Sequence, residues 1–430
     1  MDLEILYKYY LECRQIVTID TRKIKGGEIY FALKGDNFDG NLFAEDAIKK
    51  GAKYVIVDDK DIANKIGSQA ILVTDVLRTL QELAKFHRLR LNIPIIAITG
   101  SNGKTTTKEL LYNVLSQKFK TAYTKGNLNN HIGIPLTLLD IKPTDEISIV
   151  EMGANHQKEI ASYCNYVLPN YGIITNFGKA HLEGFGGIEG VIKGKSELFE
   201  DIKERSGIVF FNRNDSTAFN KVKDINLKAF DYSINDPNSF VYGKEIFKNE
   251  KVTIEIPEWN LEIKSNLTGS YNVNNILAAI CVGKFFEIDK MQIKNGIESY
   301  FPNNSRSQIQ SIGNNTWILD AYNANPSSME AALRNLETFK GPKLAILGAM
   351  MELGDFSENE HYRIAELASK SHFENVILVG EYFKDAAGQF GFQFAENNIE
   401  AKQLFEKLKI DHYTILLKGS RSIALEKLIT

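Results

Sequence analysis

Gly100-Ser101-Asn102-Gly103-Lys104-Thr105-Thr106 sets two glycines, a lysine and hydroxyls at the spacing of a phosphate-binding loop. Glycine lets the backbone turn its N–H groups onto phosphate oxygens. The helix that follows adds partial positive charge, the lysine reaches β/γ oxygens, and the next hydroxyl can ligate Mg2+. Gly103, Lys104 and Thr105 fill the last three roles. The usual pattern has another glycine where this chain has Ile98, so the loop is a shortened variant opening at Gly100. The chemistry it implies is the binding of ATP or GTP.

Such a loop alone does not choose among motor, switch, kinase and ligase, so polar residues elsewhere must decide. Glu151 follows the apolar run Ile147 to Val150, where a strand-end carboxylate can hold Mg2+; the plainer reading is a solvated loop acid. His181 lies in Asn176 to Gly186, ahead of a helical stretch from Glu189 to Phe199 that carries Lys193 and Lys195. An ordinary surface lysine is the default there, whereas a buried lysine beside Mg2+ can take up CO2 as a carbamate and become an oxygen ligand. Asp320 and Asn323, in Asp320-Ala321-Tyr322-Asn323-Ala324-Asn325-Pro326, suit ribose, metal or phosphate contacts, or else an Asx-rich turn capping the next helix. Asn272 and Asn275 open a helix and could read an adenine edge or simply cap it. Asp20, Arg22 and Lys34 sit beside Gly-rich turns, consistent with a polyanionic or nucleotide-linked substrate or with a solvated turn.

These residues need strand ends and helix starts to hold them. Ile93 to Ile98 reads as a strand covered on both faces, and Leu110, Leu111, Val114 and Leu115 recur at helical spacing after the loop. Before it, strand-like runs at Ile16 to Ile19, Ile29 to Leu33, Tyr54 to Val57 and Ile71 to Val73 alternate with helical stretches at Asn41 to Lys50 and Val76 to Arg90. After it come strands at Ser148 to Met152 and Gly172 to Thr175, then a β-rich segment from Asn226 to Ile263 that reads as an added antiparallel portion. A helix from Val273 to Phe286 and a linker at Pro302-Asn303-Asn304-Ser305 precede a second alternation, with strands at Trp317 to Leu319, Leu344 to Leu347, Val376 to Val379 and Thr414 to Leu417. The fold class expected is therefore α/β: a small N-terminal α/β domain over residues 1–90, a central phosphate-loop domain with a mostly parallel sheet over 91–302, and a C-terminal Rossmann-like domain over 303–430 that lacks a phosphate loop of its own.

The whole chain sets outer limits. Its 430 residues suffice for about three domains at roughly 150 residues each. A net charge of −3, from 51 basic and 54 acidic residues, gives no footprint for nucleic acid. No apolar run approaches the ~18 residues that cross a bilayer, and the first residues read as a folded amphipathic helix instead of a signal peptide, so a cytoplasmic location is expected. Cys13, Cys164 and Cys281 lack metal-ligand spacing and read as reduced thiols.

Taken together, these strings resemble the Mur ligases of bacterial cell-wall synthesis, along essentially the whole chain. The resemblance rests on the phosphate loop, Lys125-Gly126-Asn127-Leu128-Asn129-Asn130-His131-Ile132-Gly133-Ile134-Pro135, Glu151-Met152-Gly153-Ala154-Asn155-His156, and Ala180-His181-Leu182-Glu183-Gly184-Phe185. Asp320 to Pro326, Leu347-Gly348-Ala349-Met350-Met351-Glu352-Leu353-Gly354 and Lys418-Gly419-Ser420-Arg421-Ser422 complete it. It implies an N-terminal domain for a UDP-sugar peptide, a central ATPase and a C-terminal domain that brings an amine. It also implies an ATP- and Mg2+-dependent ligase that joins D-alanyl-D-alanine to UDP-N-acetylmuramoyl-tripeptide through an acyl phosphate, acting as a monomer. The alternatives are a sister ligase adding a diamino acid to the UDP-dipeptide and a non-catalytic nucleotide-binding relative.

By the same resemblance Thr105 and Glu151 hold one Mg2+, and His181 with a carbamylated Lys195 holds a second. Lys195 is preferred to Lys193 because Lys195-Ser196-Glu197-Leu198-Phe199 is similar to the family's Lys-x-x-aliphatic-aromatic string. Asn272 and Asn275 are implied at adenine, Asp320 and Asn323 at the nucleotide, and Asp20, Arg22 and Lys34 at the uridine side. Tyr271 stands where many relatives carry histidine. Lys418 and Arg421 are open to two readings, the dipeptide carboxylate or a helix cap.

Overall fold

The computed structural model describes residues 2–248, 250–302 and 306–429. Of the linker expected at Pro302 to Ser305, residues 303–305 lie outside the described residues. The chain divides into two compact units: residues 1–98, 119–153 and 159–172 form the first, and residues 99–118, 154–158 and 173–430 the second.

In the first unit, strands Val17–Thr18, Ile29–Phe31, Tyr54–Val57 and Ala70–Leu72 form a parallel sheet in that order. Tyr30, Ala44, Ala47, Val55 and Val57 build its core. The strand expected at Ile16 to Ile19 shrinks to two residues, because Asp20 already turns the chain by accepting a hydrogen bond from Arg22 N. The helical stretch from Asn41 resolves into a 3-10 turn, Gly40–Phe43, and a short helix, Ala44–Lys49.

Helix Val76–Arg88 starts where the Asp75 carboxylate accepts from Arg78 N, and it ends with Lys85 and Arg88 in its last turn, cations that suit a helix C-terminus. His87 is buried in its neutral form: Nε2 donates to Ile141 O at 3.0 Å and Nδ1 accepts from Tyr7 Oη at 3.0 Å. Burial pulls its pKa below the usual histidine value.

Strands Ile95–Thr99, Ile147–Glu151 and Thr121–Tyr123 lie side by side and parallel. They belong to a seven-stranded sheet in which Tyr171–Ile174 flanks Ile95–Thr99 on the other side, followed by Ile208–Asn212, Ala229–Ser233 and Val241–Tyr242. Every residue of Ile95–Thr99 and Ile147–Glu151 is buried, as an apolar run in a parallel sheet requires.

Here the expected antiparallel portion needs correction. Ala229–Ser233 pairs in parallel with Ile208–Asn212, since the crossover helix Ser216–Asp224 returns the chain in the same direction, and Val241–Tyr242 pairs in parallel with Ala229–Ser233 in turn. Only Lys244–Lys248, Lys251–Ile256 and Leu261–Lys264 form an antiparallel sheet, and it stands separately.

The second unit ends in a six-stranded sheet ordered Gln308–Ile312, Asn315–Asp320, Thr414–Lys418, Lys343–Gly348, Asn375–Val379 and Gln393–Ala395. All of its pairings are parallel except the first. Its core carries Trp317, Leu319, Leu344, Ile346, Ile377, Ile415 and Leu417.

In this unit His361 is also buried and neutral, with Nδ1 donating to Ser357 O at 2.7 Å and Nε2 accepting from Met350 N at 2.9 Å. Burial again lowers its pKa. Both His87 and His361 thus bind a proton more readily when the chain is unfolded, near pH 6.5, than when it is folded. The unfolded state therefore holds more protons below that point, and stability is expected to fall as pH drops through about 6.5. Urea midpoints at pH 7.5 and 5.5 check this, with the lower midpoint expected at pH 5.5.

Cys13, Cys164 and Cys281 are free and buried. Burial pushes the Cys13 thiol up to about 11 and raises that of Cys281 as well. Among the described residues no helix is long and apolar enough to cross a membrane.

Candidate functional site

The phosphate loop sits between strand Ile95–Thr99 and helix Lys104–Leu115, with Gly103 at the helix N-cap and φ of +78°. Gly100 has φ of +142°, and a Cβ there would lie 1.9 Å from Thr175 Oγ1 and 3.0 Å from its backbone N. Only glycine fits, in conformation and in space. Thr175 Oγ1 donates to Asn102 O at 2.6 Å, Asn102 N donates to Asn176 Oδ1 at 3.1 Å, and Ser101 Oγ donates to Gly178 O at 2.6 Å. The segment after strand Tyr171–Ile174 thus braces the loop from one side.

Lys104 Nζ folds back over the loop, donating to Gly100 O at 2.7 Å and Ser101 O at 3.3 Å. That places a cation over the N–H-lined turn. Thr105 and Thr106 are buried in the first turn. Gly100→Ala is expected to lower nucleotide affinity at least about tenfold, since the displaced loop loses N–H contacts worth ~1.5–3 kcal/mol each. Calorimetric titration with ADP reads it.

Asn275 packs against the loop from helix Tyr271–Phe285, and a Cβ on Gly103 would lie 2.5 Å from its Oδ1. Its amide is occupied: Oδ1 accepts from Thr107 Oγ1 at 3.1 Å and Nδ2 donates to Asn272 Oδ1 at 2.8 Å. Asn272 passes the chain on to Thr268 O at 2.8 Å. Ser270 occupies the N-cap position without a side-chain bond; Asn275 ties its helix to Lys104–Leu115 and Asn272 ties it to the segment that precedes it, so neither caps.

Glu151, in the first unit, ends its strand with its side chain buried. Asn129 Nδ2 donates to its Oε1 at 2.7 Å, and its own N–H donates to Thr124 Oγ1 at 2.9 Å. Asn129 was visible in the sequence only as part of a string, because its partner lies far along the chain.

His181, with φ of +52°, precedes the short helix Leu182–Phe185, and its Nδ1 is paired with the Glu352 carboxylate. The hydrogen bond from His181 holds Glu352 below the usual carboxylate range. Lys195, in helix Ile188–Glu204, is 0% exposed, with Nζ 5.1 Å from the Phe185 ring centre. Gly190 and Gly194 admit Phe185: a Cβ at either would overlap it, at 1.8 and 2.5 Å. The structure therefore separates Lys195 from an ordinary surface lysine.

Several contacts in the second unit join the loop to residues beyond 320. Asn325 Nδ2 donates to Asn102 Oδ1 at 2.8 Å, and Lys179 N donates to Ser327 Oγ at 2.9 Å. The Lys179 ammonium pairs with Glu360. Burial alone would raise the pKa of Glu360, but hydrogen bonds from Lys179 and Arg363 outweigh it and the net shift is downward. Asn325 also caps helix Pro326–Glu337 through a capping box with Ser328, so the Asx-rich reading holds for that residue.

Asp320 Oδ2 accepts from the buried Lys418 Nζ at 2.6 Å, and Asp320 Oδ1 accepts from Ser307 N at 3.2 Å. Asn323 Oδ1 accepts from Ala324 N, and its carbonyl accepts from Lys418 Nζ at 3.3 Å. Tyr271 Oη meets Ser307 Oγ at 2.6 Å. Arg421 opens the 3-10 turn Arg421–Ile423 and is exposed, with its guanidinium 3.7 Å from the Glu426 carboxylate.

In the first unit, Arg22 grips Asp20 with two hydrogen bonds of 2.8 Å and holds its carboxyl down at about 2. The guanidinium is otherwise open to solvent, 86% exposed. Lys34, on the hairpin Lys34–Gly35/Phe38–Asp39, pairs with Asp58 at 2.9 Å, which raises its pKa.

Thr105 and Glu151 carry oxygen donors of the kind Mg2+ takes, a carbamate on Lys195 would add two more, and His181 would contribute an imidazole nitrogen. Among the described residues no group of three or more His, Cys, Asp and Glu converges on one point.

Three family models cover the chain: the Mur ligase family catalytic domain over residues 15–93, the Mur ligase middle domain over 98–283, and the Mur ligase glutamate ligase domain over 305–421. The UDP-N-acetylmuramoyl-tripeptide–D-alanyl-D-alanine ligase of Escherichia coli (strain K12) is 35% identical over 426 residues, spanning 96% of this chain and 92% of that protein. The enzyme of the same name from Bacillus subtilis (strain 168) is 32% identical, with the same shares covered. Among solved structures, MurF from Acinetobacter baumannii superposes with a TM-score of 0.86 at 28% identity, covering 96% of this chain and 92% of that one. MurF ligase from Thermotoga maritima in complex with ADP gives 0.83 at 25% identity, covering 97% and 96%.

Proposed function

This chain belongs to the Mur ligase family, and from that membership we propose that it joins D-alanyl-D-alanine to UDP-N-acetylmuramoyl-tripeptide, converting ATP to ADP and phosphate. The observation that carries the reading is the near full-length similarity to curated ligases that share this one activity in their names. The chain has the three-domain Mur ligase architecture, and we propose domain borders near residues 90 and 302.

A carboxylate is a poor electrophile, and bringing it to ATP gathers several negative charges that must be neutralised. The tripeptide carboxylate attacks the γ-phosphorus and ADP leaves, giving an acyl phosphate. The amine of D-alanyl-D-alanine adds to the activated carbonyl, and collapse of the tetrahedral intermediate expels phosphate and leaves the amide.

In this reading the N–H groups of Gly100 to Gly103 cradle the phosphates, together with the side chains of Ser101 and Asn102. Lys104 swings from its loop carbonyls to the β/γ oxygens, and Thr105 and Thr106 face the nucleotide from the first helical turn. Thr105 and Glu151 are proposed as ligands of one Mg2+, and His181 and carbamylated Lys195 as ligands of a second; when bound, the ions would screen phosphate charge. Asn272 and Asn275 are assigned to the adenine side, Asp320 and Asn323 to the rest of the nucleotide, and Asp20, Arg22 and Lys34 to the uridine diphosphate. The enzyme is proposed to act as a monomer in the cytoplasm.

The test is phosphate release from ATP and Mg2+ with UDP-N-acetylmuramoyl-tripeptide, with and without D-alanyl-D-alanine, followed by mass analysis of the nucleotide product. Dipeptide-dependent release with the matching mass gain is expected. Turnover of the UDP-dipeptide with a diamino acid instead would move the chain to the sister ligase.

A further inference from the structure

His181 and Glu352 meet from segments far apart in sequence, and both occupy the left-handed backbone region, with φ of +52° and +63°. Side chains other than glycine and asparagine rarely stay there unless their surroundings hold them, and such residues gather at functional sites. The surroundings of Glu352 do hold it. Three successive residues before it are pinned: Ala349 O accepts from Ser420 N at 3.2 Å, Met350 N donates to His361 Nε2 at 2.9 Å, and Met351 N donates to Ser420 Oγ at 3.0 Å. His361 is itself locked by its bond to Ser357 O and packs against the rings of Tyr382 and Phe383. The carbonyl of Glu352 accepts from Glu183 N at 3.3 Å, so the two segments touch through main chain as well as side chain.

We propose that Glu352 is a positioning residue for His181: its carboxylate accepts the hydrogen bond of Nδ1–H, fixes the ring tautomer and orientation, and leaves Nε2 as the lone-pair nitrogen. His361 and Ser420 set the loop that delivers it. A carboxylate behind a ligating histidine raises the basicity of the ring and removes its rotational freedom. Because Glu352 belongs to the C-terminal segment, His181 is oriented only while that segment is docked. The inference rests on the metal role proposed for His181.

The tautomer can be read without any metal, by 15N NMR of the imidazoles in the full-length protein labelled at histidine, with His181→Gln identifying the signal. At a pH where the ring is neutral, wild type is expected to show His181 protonated at Nδ1 alone. Glu352→Ala should shift it towards the Nε2–H form, and Glu352→Gln, which keeps an acceptor oxygen, should restore much of the wild-type signal. Glu352 is half exposed, so folding should survive both changes. Binding of Mn2+ followed by electron paramagnetic resonance should weaken about 10–100-fold in Glu352→Ala.

A His181 protonated at Nε2 in wild type, or the same spectrum in Glu352→Ala, would overturn the proposal. So would a shifted tautomer with unchanged Mn2+ affinity. Wild type that binds no Mn2+ beyond the nucleotide-linked ion would refute the metal role of His181, and the tautomer would still judge the part assigned to Glu352.

Discussion

Lys104→Ala is expected to lower kcat by at least about 10³-fold, the range seen when a preorganised charge on a transferring phosphoryl group is lost. The side chain is poised for that job: it begins helix Lys104–Leu115 and rests on Gly100 O and Ser101 O, both neutral carbonyls that a phosphate would outcompete. Those carbonyls belong to a loop braced independently by Thr175, Asn176 and Gly178, so the fold should persist in the variant. Steady-state phosphate release and thermal melting, measured together, separate lost chemistry from lost structure. Activity within tenfold of wild type, with normal melting, would mean that the phosphates are held elsewhere.

The second large effect is expected at Lys195. Its side chain is wholly buried, with Nζ over the face of Phe185, where a surface lysine would stand in water. Conversion to a carbamate changes the sign of the group and gives it two oxygen atoms, which suits a cation-binding role better than an amine does. Lys195→Ala should therefore reduce kcat by about 10²-fold or more. Formate or acetate should restore part of it by occupying the vacated space with a carboxylate. Phosphate release is assayed with and without the additive, and full activity with neither lysine nor additive would sink the carbamate assignment.

What the sequence disclosed follows from how local each feature is. The phosphate loop, its strand and its helix are contiguous, so composition and periodicity placed Gly100 to Thr106 between Ile95–Thr99 and Lys104–Leu115. Tyr54–Val57 matches its expected strand residue for residue, because four apolar residues between polar turns leave little choice. Glu151 likewise ends the strand it was expected to follow.

The bracing partners were not legible. Asn102 and Asn325 lie 223 residues apart, Lys179 and Glu360 lie 181 apart, and Asp320 and Lys418 lie 98 apart; no local period carries such pairings. Glu352 could be seen only inside a family string, since neither its positive φ nor its histidine partner leaves a mark on neighbouring residue types. The direction of Ala229–Ser233 was misread for a related reason: strand polarity depends on the length and path of the connection, and a polar, β-rich composition is silent on both.

The three buried thiols make the chain its own opening gauge. A thiol-reactive dye can reach Cys13, Cys164 or Cys281 only when the surrounding core parts, and Cys13 lies in the first unit while Cys281 lies in the second. Labelling rates resolved by peptide mass would therefore time the loosening of each unit separately. One engineered surface cysteine would also accept a fluorophore cleanly, with no native cysteine needing removal.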